Sequence, residues 1–148
     1  MCKYIFSFPS TELSLKVSDD IFGILINNLD IPDYEKYRLK VVVSELFVNA
    51  YLHGNGAEPG KYIDVIIELN ETDVIVTVKD QGNGLSLEKF KQHAGSLPES
   101  SSEHGRGINI AKRFGDKIDL FKDPDGKFCI RFARRLNNIK KASDLVGG

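Results

Sequence analysis

Two helical stretches, followed by strands that arrive in neighbouring pairs, predict an α+β two-layer sandwich: a mainly antiparallel mixed sheet with helices on one face. Three observations carry that expectation. Residues 61–69 and 74–79 alternate apolar and polar and are rich in β-branched side chains, and only the polar run Asn70, Glu71, Thr72, Asp73 separates them, so they read as a hairpin. Residues 117–122 and 127–134 repeat this arrangement around Asp123, Pro124, Asp125 and Gly126, a strong turn signal. Repeated βαβ units, which a parallel sheet requires, do not occur.

The remaining elements follow in order. Residues 3–8 alternate and form a first strand. Ser18 is the expected cap of a helix reaching about Leu29, with Ile21, Phe22, Leu25, Ile26 and Leu29 on one side. Pro32 breaks the chain, and Asp33 suits the start of a long helix that ends at Gly54. After the first hairpin, residues 86–93 read as a short helix. Residues 94–103 hold Gly, Pro and three successive serines and read as a mobile loop, and 107–114 read as a helix. Beyond Leu136 the chain is polar, so 136–148 is expected to be a flexible tail on a single domain spanning 1–148.

Composition narrows the function classes. A chain of 148 residues suits one domain with one good core. Hydrophobic residues at 41% and charged residues at 28% are those of a globular protein. A net charge of −1 argues against an electrostatic binder of nucleic acid or membrane surfaces. Cys2 and Cys129 make no disulfide framework and read as reduced thiols, which fits a cytoplasmic protein. The first residues are too few and too mixed for a signal peptide, and no apolar run approaches membrane-spanning length.

Three segments carry candidate chemistry. Glu45, Asn49 and His53 recur at every fourth position of the long helix and so share one face. Glu45 can accept a proton from an attacking hydroxyl, and Asn49 offers a neutral oxygen suited to Mg²⁺. Taken alone, these side chains read first as the solvated side of a helix. Asp80, at the end of a strand, is followed by Gly82, Gly84 and Leu85. The carboxylate can accept from the exocyclic amine of adenine, and the glycines let backbone approach a ligand. A plain tight turn would use the same residues. Gly105, Arg106 and Gly107 precede the helical run from Ile108, where outward amides and the helix dipole favour an anion. Neither a P-loop nor a strand-linked Gly-x-Gly-x-x-Gly is present.

In conjunction and in this order, Glu-x-x-x-Asn-x-x-x-His-Gly, Asp-x-Gly-x-Gly-Leu and Gly-x-Gly-Ile resemble the GHKL (Bergerat-fold) ATP-binding superfamily. The wording Ser44, Glu45, Leu46, Phe47, Val48, Asn49, Ala50, Tyr51, Leu52, His53, Gly54, Asn55 is similar to the bacterial anti-sigma factor serine/threonine kinases. The resemblance implies ATP bound between the helices and a lid at 94–103. Asp80 would bind adenine, with Gly82 and Gly84 shaping the pocket and Leu85 beside them. Asn49 would hold Mg²⁺, and Gly105, Arg106, Gly107 and Ile108 would surround the phosphates. Glu45 matches the general base, and His53 would support the pocket wall. The implied activity is phosphorylation of a serine or threonine on a STAS-type antagonist protein, with a sigma factor as a second partner and a homodimer as the assembly. A non-catalytic, ATP-gated binding module would use the same segments. The family often has Gly-Thr at its last strand, where this chain has Gly126, Lys127 and Phe128, which bears on base recognition.

Overall fold

A computed structural model describes residues 2–82, 116–136 and 140–141. Its five-stranded sheet has the order β1-β3-β4-β6-β5, from strands β1 (Cys2–Pro9), β3 (Tyr62–Leu69), β4 (Asp73–Asp80), β5 (Lys117–Lys122) and β6 (Phe128–Arg135). Every pairing in it is antiparallel. Helices α1 (Glu12–Asn27) and α2 (Asp33–Asn49) cover one face, which is the expected two-layer sandwich. A short second ladder joins β2 (Leu29–Asp30) to β7 (Lys140–Lys141), so part of the segment expected to be a loose tail is paired. The expected helices at 86–93 and 107–114 and the loop at 94–103 lie outside the described residues.

Both hairpins form where turn chemistry predicts them. The Asn70 side chain accepts from the Thr72 and Asp73 amides at 2.9 and 2.7 Å, which bends the chain between β3 and β4. Between β5 and β6, Asp123 Oδ1 accepts from the Lys127 amide at 2.8 Å. Gly126 takes φ 84° there, a conformation a side chain would resist.

The first helix differs from expectation. Its cap is Thr11, extended at φ −126°, ψ 159°, whose Oγ1 accepts from the Ser14 amide at 3.2 Å. Ser18 lies inside the helix, buried, and donates back to the Leu15 carbonyl at 3.1 Å. Leu29 leaves the helix and enters β2. Four phenylalanines lock the two layers. Phe6 and Phe8 on β1 meet Phe22 of α1, and Phe8 meets Phe47 of α2 edge to face with centroids 5.4 Å apart.

At the far end of α2 a charge quartet, buried except for the partly exposed Arg134, ties helix to sheet. Arg38 donates to Asp116 at 2.5 Å, and Arg134 of β6 donates to Asp116 at 3.0 Å and to Glu35 at 2.8 Å. Arg38 lies 3.6 Å from Glu35. With its first turn fixed in this way, α2 runs across the sheet and brings its last turn to the C-terminal end of β4.

Candidate functional site

The site forms where α2 ends and β4 leaves the sheet. Val74, Val76 and Val78 are the buried, helix-facing residues of β4, and a period of two makes Asp80 the next in that series. Its carboxylate is thereby carried beneath the helical layer and is only 3% exposed. A buried carboxylate needs donors, and the Gly82 amide is one, 3.0 Å from Oδ1.

Glycine is required on both sides of this carboxylate. The last turn of α2 widens into a π-helical turn, Ala50–Gly54, in which the Asn55 amide donates back to the Ala50 carbonyl at 2.8 Å. That turn delivers Gly54 against Asp80. A Cβ on Gly54 would overlap the Asp80 carboxylate, and one on Gly82 would overlap the Gly54 carbonyl. The chain therefore closes on itself at Gly54, Asp80 and Gly82 with no space for a side chain on either glycine.

Asn55 holds the junction together. It is 1% exposed. Its Nδ2 donates to Ser10 Oγ at 2.7 Å and to the Tyr62 carbonyl at 3.0 Å, and its Oδ1 accepts from the Gln81 amide at 2.7 Å. Gln81 Oε1 accepts in turn from the Tyr62 amide at 2.5 Å. One side chain thus ties the lead into α1, the start of β3 and the exit of β4.

The polar residues of α2 approach the junction from below. Asn49 is buried, 5% exposed, immediately before the π-helical turn. Glu45, one α-helical turn earlier, is half-buried and lines a cleft of about 310 Å³ with Asp19, Tyr37, Lys40, Val41 and Ser44. Glu45 and Asn49 share a face as expected. His53 is half-buried and lies within the π-helical turn, beyond the regular α-helical spacing that relates Glu45 to Asn49. Among the described residues there is no group of three His, Cys, Asp or Glu side chains that could hold a metal ion. Gly84, Leu85, Gly105, Arg106, Gly107 and Ile108 lie outside the described residues.

Comparison with known proteins agrees with this layout. The profile of the histidine kinase-like ATPase domain matches residues 13–133. The chain belongs to that family. Within it, the chain is 31% identical over 116 residues to the anti-sigma F factor of Bacillus thuringiensis, covering 76% of this chain and 78% of that protein. It is 27% identical over 114 residues to the anti-sigma F factor of Bacillus cytotoxicus, with coverage of 76% and 78%. A solved structure, the Erythrobacter litoralis EL346 blue-light activated histidine kinase, aligns with a TM-score of 0.50 at 17% identity. That alignment covers 72% of this chain but 32% of the kinase, so the chain spans about a third of that protein's length and the likeness is one of fold. Membership makes the chain a GHKL-type ATP-binding domain of the anti-sigma factor kind.

Two features of this ATPase domain escape a motif-based reading. Asn55 closes the run that begins at Ser44, but its role depends on Ser10, Tyr62 and Gln81, three residues distant from it. Lys127 does not face Asp80. Its Nζ is paired with Asp64 at 2.8 Å on the opposite face of the sheet, and that bond, against some loss of hydration, raises its pKa. The residue across the ladder from Asp80 is Phe128.

Proposed function

We propose that this protein is an ATP-dependent serine/threonine kinase of the anti-sigma factor type, which phosphorylates a STAS-type antagonist protein and regulates a sigma factor by partner switching. The observation that carries the reading is the junction of Gly54, Asp80 and Gly82 at the end of the helix that bears Glu45 and Asn49. The buried Asp80 carboxylate is an acceptor for the exocyclic amine of adenine, and the two bare glycines let the chain close tightly around it and hold it in place. His53 lines the wall of this pocket. In this reading Gly105, Arg106, Gly107 and Ile108 bind the phosphates, and Gly84 and Leu85 contribute to adenine binding.

Phosphoryl transfer requires mostly positioning and charge neutralisation. Asn49 has the right chemistry for Mg²⁺, a neutral oxygen beside a phosphate chain, since that ion keeps several waters and takes few protein ligands. When bound, Mg²⁺ would neutralise phosphate charge. Glu45 takes the proton of the substrate hydroxyl as its oxygen bonds to the γ-phosphorus, the β–γ bridging P–O bond breaks and ADP leaves. The same reading makes the protein cytoplasmic and homodimeric, and no helix among the described residues is long and apolar enough to cross a membrane.

The test is incubation with γ-labelled ATP, Mg²⁺ and candidate STAS-type partners. Label on a partner serine or threonine is expected, and Glu45→Gln should bind ATP while losing transfer. Transfer at the wild-type rate by that variant would remove Glu45 as the base. ATP binding without label on any cognate candidate would leave an ATP-gated binding module instead.

A further inference from the structure

The end row of the sheet beside the glycine junction carries three side chains in register. Asp80 on β4 faces Phe128 on β6, and Phe128 faces Lys122 on β5. Directly opposed residues of antiparallel neighbours point to the same face, with Cβ atoms about 4.5–5.5 Å apart. Phe128 therefore stands on the helix-facing side, next to the Asp80 carboxylate. The following helix-facing residues of β6, Ile130 and Phe132, are buried in the core, whereas Phe128 is only half-buried. Lys122 Nζ lies 5.1 Å from the centre of its ring, which a cation favours. An aromatic ring is thus kept partly open, steadied by a cation, at the edge of a buried hydrogen-bond acceptor.

We infer that Phe128 is a specificity-determining residue of the nucleotide site, whose ring forms the wall against which the purine lies when its amine reaches Asp80. The inference rests on the reading of Asp80 as the base acceptor. The two side chains divide the work. Asp80 selects for the exocyclic amine, because a carboxylate accepts from an amine donor and gains no hydrogen bond from a purine that lacks one. Phe128 contacts the apolar surface of the base, which every purine has. The sequence of the last hairpin therefore alters base recognition through Phe128, and Lys127 is occupied elsewhere with Asp64.

Calorimetry on the full chain with Mg²⁺ separates these roles. The probes are ADP, the diphosphate of purine riboside (which lacks the 6-amine) and tripolyphosphate (which lacks a base). Phe128→Leu keeps apolar bulk and removes the ring. It should weaken ADP and the purine analogue alike, by about tenfold on the scale of base–aromatic contacts, and leave tripolyphosphate unchanged. Phe128→Tyr should bind as wild type. Asp80→Asn should instead erase the preference for ADP over the purine analogue. Wild-type ADP affinity in a folded Phe128→Leu protein would overturn the inference, as would an equal loss for tripolyphosphate. If the unaltered protein shows no preference for ADP over tripolyphosphate, the reading of Asp80 itself fails, whatever Phe128 does.

Discussion

Replacing Asn55 with alanine is the most informative single perturbation, because this side chain links three segments and contacts no ligand in the proposed site. The substitution removes two donated bonds, to Ser10 Oγ and the Tyr62 carbonyl, and one accepted from the Gln81 amide. At a net value of about 1 kcal/mol per bond the loss is roughly 3 kcal/mol. The Asn55 side chain is almost fully enclosed, so water does not readily take over these bonds. The backbone conformation at Asn55, φ −88° and ψ −7°, suits alanine and adds no strain. Against a domain stability of about 5–15 kcal/mol this is a large fraction, and it corresponds to a fall in Tm of roughly 6–12 °C. Urea unfolding followed by circular dichroism measures it. The exit of β4 is also released, so ADP affinity should fall under conditions where the variant is still folded. A stability loss under about 1 kcal/mol would refute the idea that Asn55 organises the junction. So would a full loss of stability with unchanged ADP affinity in the folded protein.

Other expectations follow from neighbouring features. Gly54→Ala drives a Cβ into the Asp80 carboxylate, and should cost about 1–3 kcal/mol and abolish measurable ADP binding; retained binding by calorimetry would contradict the close approach. Arg38→Met strips the almost fully buried Asp116 of its shortest partner and should destabilise by about 3–5 kcal/mol in urea; a change near zero would mean that the quartet is replaceable by apolar packing. The amide of Lys127 and then the Lys79 ammonium hold the Asp123 carboxyl below its ordinary 3.8. A group depressed on folding stabilises above its unfolded pKa and loses that contribution as pH falls through the folded value. Asp123→Ala should therefore lower the urea midpoint at pH 7, and the gap to wild type should narrow as pH falls below the ordinary carboxyl value of 3.8. A gap that widens on acidification would reverse the sign.

Much of the fold is legible in local pattern, and the misreadings are instructive. Alternation and turn chemistry locate both hairpins closely, because Asn70, Asp123 and Gly126 act on their own neighbourhood. Ser18 misleads as a cap because a buried serine can satisfy itself on the preceding turn, and nothing local distinguishes that from capping. The π-helical turn is invisible in a four-residue spacing, and it is what carries Gly54 against Asp80.

Sequence alone determined the strands of both hairpins, the family motifs and the identity of the chemical groups, since periodicity and spacing are properties of neighbours along the chain. Only the tertiary structure decided which groups meet. Strand register set Phe128, not Lys127, across from Asp80, and a widened helix end brought Gly54 against that carboxylate. Asn55 became a linchpin only once β1, β3 and β4 had converged around it. Register and convergence depend on burying one face of every strand together, which is a global condition that no short segment contains.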